Sequence, residues 1–116
     1  MDLLSFFSVV GGDYNEVMSR LLKEERIIKY LNKFKDSTEY AQLLDALEKE
    51  DWELAFRMSH SLKGMCANLG LGKLRASSSE LCELLRPCKK PEISYQPLLD
   101  AVKADYATVL DAISNL

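Results

Sequence analysis

Apolar residues recur at helical spacing through almost the whole chain, in six runs separated by polar or glycine-containing breaks. Leu3 to Val10 is a short, nearly continuous apolar stretch closed by Gly11-Gly12. It reads as one or two helical turns folded over the rest of the molecule. Asp13 and Glu16 have capping-box spacing, with the aspartate as cap. They open a helix whose apolar positions are Val17, Leu21, Ile28, Leu31 and Phe34. Ser37 is a suitable N-cap for the next helix, with Tyr40, Leu43, Leu44 and Leu47 on its inner side. Asp51 caps a long helix with Trp52 near its start, running to Asn68-Leu69-Gly70-Leu71-Gly72. There Gly70 or Gly72 can take the positive φ that ends a helix. Leu74, Ser78, Leu81 and Leu85 form the next stripe, and Ser77, Ser78 and Ser79 read as small packing residues. Pro87 and Pro91 mark a loop. A last helix begins near Tyr95-Gln96-Pro97, since proline is tolerated in a first turn. Its stripe is Leu99, Val102, Tyr106, Val109, Leu110 and Ile113.

The pattern predicts an all-α fold in which the last four helices pack as an antiparallel up-down-up-down four-helix bundle, with an N-terminal helical cap. One domain spanning 1–116 is expected, with 1–12 as an apolar N-terminal segment and 13–115 as the helical body. A chain of this length buries roughly 60–70% of its unfolded surface.

The helix opened by Asp51 carries a second face. Taking about 100° per residue from His60, residues Ala55, Met58, Leu62, Met65, Cys66 and Leu69 fall between about 140° and 240°. That stripe is the core side. On the opposite side stand His60, the sole histidine, with Lys63, Gly64, Phe56 and Ala67, and with Arg57 and Asn68 at the margin. A core role for His60 is ruled out by the apolar stripe behind it. A merely decorative role leaves Gly64 unexplained, because glycine inside a helix costs about 0.5–1 kcal/mol relative to alanine. A glycine one turn from an outward imidazole clears space for another molecule.

Neutral imidazole is a nucleophile near pH 7 and can take up a group covalently. Lys63 can reach the same surface, and its charge favours a phosphoryl group carrying two negative charges. Ser59 and Ser61 flank His60 without an acid–histidine–serine arrangement, so hydrolysis is a poor match. One histidine and no paired cysteines leave zinc without a ligand set. Gly11-Gly12 lacks the remainder of a phosphate-binding loop, and Glu48-Lys49-Glu50 reads as a solvated turn.

In its order, His60-Ser61-Leu62-Lys63-Gly64-Met65-Cys66-Ala67-Asn68-Leu69-Gly70 resembles the His-x-Leu-Lys-Gly … Asn-Leu-Gly core of histidine-containing phosphotransfer (HPt) domains. Asp51-Trp52 before the histidine, and Leu74, Leu81, Leu85 and Arg86 after it, extend the resemblance over residues 13 to 115. The resemblance implies a phosphocarrier in two-component phosphorelays. His60 would take a phosphoryl group on Nε2 from a receiver-domain aspartate, or return it to one. Lys63 would steady the phosphoryl charge and Gly64 would give the partner clearance. Phe56 and Ala67 would lie in the docking patch, with Arg57 and Asn68 at its margin. The group that hydrogen-bonds Nδ1 is left open between a side chain of the adjacent helix and water. Mg²⁺ is expected in the partner receiver domain, and no cofactor in this chain. The expected partners are a response-regulator receiver domain or a hybrid sensor histidine kinase.

Charge and cysteine content narrow the setting. With 15 basic against 18 acidic residues and a net charge of -3, nucleic acid is not an expected partner. A local positive spot from Lys63, Arg57 and Lys73 is compatible with that balance. Cys66 reads as core and Cys82 as half-buried, and three cysteines without close pairing suit a reducing cytoplasm. Met1 to Val10 lacks a basic n-region and is too short to span a bilayer, so neither a signal peptide nor a membrane anchor is expected. Without an ATP-binding signature, autonomous kinase activity is not expected. A monomer suffices for the implied transfer. The alternative is a non-catalytic docking module that regulates a receiver or sensor kinase by occupancy. A purely structural bundle would leave the His-Lys-Gly face unexplained.

Overall fold

Seven α-helices and no strand carry the chain in the computed structural model, which describes all 116 residues. They are α1 (Leu3–Val10), α2 (Tyr14–Leu21), α3 (Glu24–Lys35), α4 (Glu39–Glu48), α5 (Trp52–Leu69), α6 (Gly72–Leu85) and α7 (Gln96–Ser114). All seven contribute to one buried apolar cluster. No helix is long and apolar enough to cross a membrane.

The helix expected from Asp13 to Phe34 is in fact two. Asp13 caps α2, its carboxylate accepting from the Asn15 and Glu16 N–H groups at 2.9 and 3.3 Å. Leu22 then adopts φ 70°, a left-handed conformation that ends α2. The break shifts the apolar phase by one residue. Ile27, not Ile28, is therefore the core residue: Ile27 is fully buried while Ile28 is 38% exposed. The uninterrupted charges of Lys23-Glu24-Glu25-Arg26 mark this corner, and Tyr14 Oη donates to Glu24 across it at 2.7 Å.

Left-handed backbone costs a non-glycine residue about 1–2 kcal/mol, and Leu22 gains little in return because its side chain is 65% exposed. Leu22→Gly is expected to raise stability by about 1 kcal/mol, read as a higher denaturant midpoint at unchanged slope. A lowered midpoint would show that the exposed leucine packs in solution.

Ser37 does not cap α4. Its hydroxyl donates back to the Phe34 carbonyl at 2.6 Å and so closes α3. Thr38 occupies the cap position of α4 without a side-chain capping bond. Asp51 does cap α5, accepting from the Leu54 N–H at 3.2 Å. Trp52 meets Tyr95 edge-on, with ring centroids 6.1 Å apart, and ties the start of α5 to the start of α7.

Of the two candidate glycines after α5, Gly70 takes the left-handed turn, at φ 67°. The Leu71 N–H then returns to the Cys66 carbonyl at 2.9 Å, a Schellman ending. Here the N-terminal segment closes on the turn. A Cβ at Gly12 would lie 2.1 Å from the Gly70 carbonyl oxygen, so backbone meets backbone at that point.

α5 packs against α4 on one side and α6 on the other, and α6 packs against α7. Tyr40 of α4 stacks on Tyr106 of α7 with centroids 3.7 Å apart. α1 buries Leu3, Phe6, Phe7 and Val10 against α7, α6 and α2. The expected inner stripe of α7 is buried apart from Leu110, which is half-buried. In α6 the stripe Leu74, Ser78, Leu81 and Leu85 is buried, and Cys82 is fully buried rather than half-buried. Ser77 and Ser78 are small buried residues at the same interface stripe.

Candidate functional site

α5 holds its outer face in place through what it buries. Ala55, Ser59, Leu62, Cys66 and Leu69 are the inward residues, and full burial of a leucine such as Leu62 contributes about 1.5–3 kcal/mol. Ser59 completes that stripe by donating its hydroxyl to the Phe56 carbonyl at 2.8 Å, so its polar atom is satisfied within the helix. It is not available as a partner for His60. Burial pushes the Cys66 thiol up to about 12, which keeps it protonated and inert at neutral pH.

On the opposite side His60 is exposed, seated well inside an 18-residue helix whose backbone cannot yield. The Phe56 ring lies against it with centroids 6.0 Å apart and planes inclined by 30°. Gly64, one turn on, is open: a Cβ there would meet no atom within 4 Å. Ala67 and Lys63 are half-buried, and Arg57 is exposed. His60, Lys63, Gly64, Phe56, Arg57 and Ala67 therefore share one face. Asn68 is exposed at its edge, where it also lines a groove of about 400 Å³ walled by Arg20, Tyr30 and Lys33 and floored by Phe34, Met65 and Leu69. Asn68 thus looks partly toward α2 and α3.

Cys82 and Glu83 of α6, and Arg86 just past its end, join this face without having been singled out as site residues. Cys82 Sγ lies 4.0 Å from His60 Nδ1. Glu83 accepts from the Arg86 guanidinium at 2.6 and 3.2 Å. Arg86 in turn lies over the Phe56 ring, 5.3 Å from its centroid. The Arg86 hydrogen bonds hold the Glu83 carboxyl below its usual range, and the Lys63 charge adds a smaller lowering. Lys63 of α5 and Arg86 are thus the two cations that act on the Glu83 carboxylate. Lys73 belongs elsewhere: it stands on the first turn of α6, next to Gly11, at the far end from His60.

A signal for the α6 residues does exist in the chain. α5 and α6 reverse at Gly70, so a position ten residues before the turn lies near the level of one twelve residues after it, as His60 and Cys82 do. Level alone does not say which side of α6 turns toward the ring. That rotation is set by packing of Leu74, Leu81 and Leu85 against the core.

The face is thus an exposed mid-helix imidazole beside a cation and a bare glycine. A model of the Hpt domain matches residues 30–112, which takes in the second part of α3, all of α4, α5 and α6, and most of α7. No curated protein and no solved structure matches the chain. With the match covering most of its length and spanning the whole His60 face, the chain belongs to the Hpt domain family, the phosphotransfer modules of two-component signalling.

Proposed function

We propose that the chain is a histidine phosphocarrier, shuttling a phosphoryl group between His60 Nε2 and receiver-domain aspartates. The observation that carries this reading is the setting of His60, exposed on α5 with Nδ1 turned toward α6 and open space over Gly64. In the accepting direction the Nε2 lone pair attacks the phosphorus of an aspartyl phosphate. The N–P bond forms, the bond from phosphorus to the aspartate oxygen breaks, and the carboxylate leaves. The ring proton stays on Nδ1. Donation runs the same step in reverse. Mg²⁺ is supplied by the receiver, where it offsets charge on the phosphoryl oxygens.

Each residue of the face has a part in this step. Lys63 adds positive charge next to the incoming phosphoryl group. Gly64 admits the receiver's loops, Phe56 and Ala67 give the apolar contact, and Arg57 and Asn68 bound it. The helical body supports the reading as a scaffold: α4 to α7 are taken as an antiparallel up-down-up-down bundle closed by the Tyr40–Tyr106 stack, with α1 to α3 covering one end. The carrier acts as a monomer. Its three free cysteines suit a reducing compartment, so the cytoplasm is its proposed place of work.

The test is incubation with receiver domains carrying labelled aspartyl phosphate, without ATP. Label is expected on this chain, mapping to His60, with the acid lability and alkali stability of an N–P bond. No label from any of a full set of folded, phosphorylated receivers would overturn the carrier reading and leave docking by occupancy.

A further inference from the structure

α3 meets α5 far more sparsely than α4 and α6 do. Protein interiors are close-packed, so a gap along a central helix calls for an occupant. The gap is the groove of about 400 Å³ between α2, α3 and the C-terminal end of α5. Its floor belongs to the core. Phe34 and Leu69 are buried, and Met65 is half-buried, with a flexible side chain that adapts to what lies on it. The exposed Tyr30 ring extends the apolar wall. Small-molecule sites hold about 300–1,000 Å³, are lined mostly by apolar residues with a few polar groups, and form between the helices of bundles. The groove has each of these properties.

Its charged groups are of one sign. Arg20 and Lys33 stand on the rim, and no carboxylate lines the groove. Glu16, one turn back along α2, answers Arg20 at 3.5 Å. Lys33 has no acidic partner, since the other two ion pairs are Asp45–Lys49 and Glu83–Arg86. Its ammonium lies over the Tyr30 ring instead, 5.4 Å from the centroid. One cation in excess thus stands beside an apolar hollow, in a chain whose net charge is -3.

We propose that this groove binds a small amphiphilic monoanion, an aliphatic carboxylate of the size of a medium-chain fatty acid. The chain lies on Phe34, Met65 and Leu69, and removing it from water supplies the affinity. The carboxylate reaches Lys33 and Arg20, and Asn68 on the same edge offers an amide N–H donor. A cationic head would meet two like charges, and a neutral one would leave Lys33 unanswered. A nucleic-acid backbone needs more cations than this rim holds. The hollow is recessed between helices, so it takes a free molecule rather than the surface of a bilayer. This site goes beyond phosphoryl transfer and does not depend on the carrier reading, although Asn68 bounds both the groove and the His60 face.

The test titrates the ¹⁵N-labelled full chain with hexanoate, octanoate and decanoate, each below its micelle concentration. Octanol and octylammonium serve as the neutral and cationic counterparts of octanoate. Saturable shifts are expected at Lys33, Asn68 and Leu69, with decanoate half-saturating at about 1 mM or below. Affinity should rise about 2- to 4-fold per added methylene, since one side of the chain stays open to solvent. Octanol should bind about 3-fold more weakly than octanoate, and octylammonium more weakly still. Arg20 and Lys33 are both exposed, so a protein carrying Arg20→Gln and Lys33→Gln should fold normally. It should lose the preference for octanoate while its affinity for octanol is unchanged. Met65→Trp should fill the groove and abolish binding of all three acids; if it does not fold, the glutamine pair decides. No saturable shift at the groove would overturn the proposal and leave the hollow to the side chains of a protein partner. Equal binding of the three head groups would overturn the assignment of an anion. Shifts scattered over exposed apolar residues such as Leu4 and Ile93 would mean an adventitious additive only.

Discussion

His60→Gln is expected to take up no phosphoryl label, a loss of at least about 10³-fold in transfer rate, while folding and receiver binding persist. Glutamine has a comparable reach but no nitrogen lone pair able to attack phosphorus. Cys66 and Ser59 of the same helix cannot take over: Cys66 is buried behind the face with its thiol pushed up to about 12, and the Ser59 hydroxyl is committed to the Phe56 carbonyl. Stability should hold because His60 is exposed and its ring makes only the Phe56 stack and the Cys82 contact. Surface changes of this kind usually shift stability by within about 0.5 kcal/mol. The measurement pairs label transfer with receiver affinity on the same preparation. Label retained by the glutamine variant would place the phosphoryl group on another residue. Loss of both label and binding would make His60 a docking residue first, and the carrier reading would lose its main support.

The chain announces its helices well where each boundary has a local chemical cause. Asp13, Asp51 and Gly70 terminate or cap helices through bonds that involve only their near neighbours, and those boundaries are legible one residue at a time. The α2–α3 corner is different. Leu22 has no intrinsic preference for a left-handed φ, and the apolar stripe continues through it in phase if α2 is simply extended. Only the burial of Ile27 and Leu31 under the rest of the molecule selects the turn. Ser37 failed as a cap for a related reason: one hydroxyl can serve the end of α3 or the start of α4, and a three-residue connection lets it do the former.

The same distinction runs through the site. His60, Phe56, Lys63, Gly64 and Ala67 fall on one face because a single helix fixes their angles, so the sequence periodicity suffices. Cys82, Glu83 and Arg86 reach that face across an interface, and interhelical rotation is a property of the packed core. The consequence is chemical as well as geometric. The sequence groups Lys63 with Arg57 and Lys73 as a positive spot, whereas in the fold Lys63 belongs with Glu83 and Arg86 to a charged row along the α5–α6 edge. A phosphoryl group on His60, as proposed, would meet that row with its carboxylate already paired to Arg86.

Gly64 gives the second large effect, and one with opposite signs for stability and transfer. Its position has open space where a Cβ would go, and nothing in the backbone there requires glycine, so Gly64→Ala should stabilise the protein by about 0.5–1 kcal/mol. A fold selected for stability alone would have alanine. Gly64→Trp should also fold, since the new side chain projects outward from the exposed face. Its bulk, one turn from His60, would hold a receiver away from the imidazole. Because transfer depends on placing phosphorus against Nε2, a displacement near 1 Å is enough to slow it by about 10²-fold. Alanine should slow it little, and the rates should fall with side-chain size. Phosphoramidate supplies the control, as a small donor reaches Nε2 without needing the space over Gly64. The tryptophan variant should therefore react with phosphoramidate at close to the wild-type rate while failing with a receiver. Equal impairment with both donors would mean that the substitution disturbs the His60 ring itself. Normal relay through the tryptophan variant would mean that the receiver does not approach over Gly64, and the docking face would have to lie toward Phe56 and Arg86 instead.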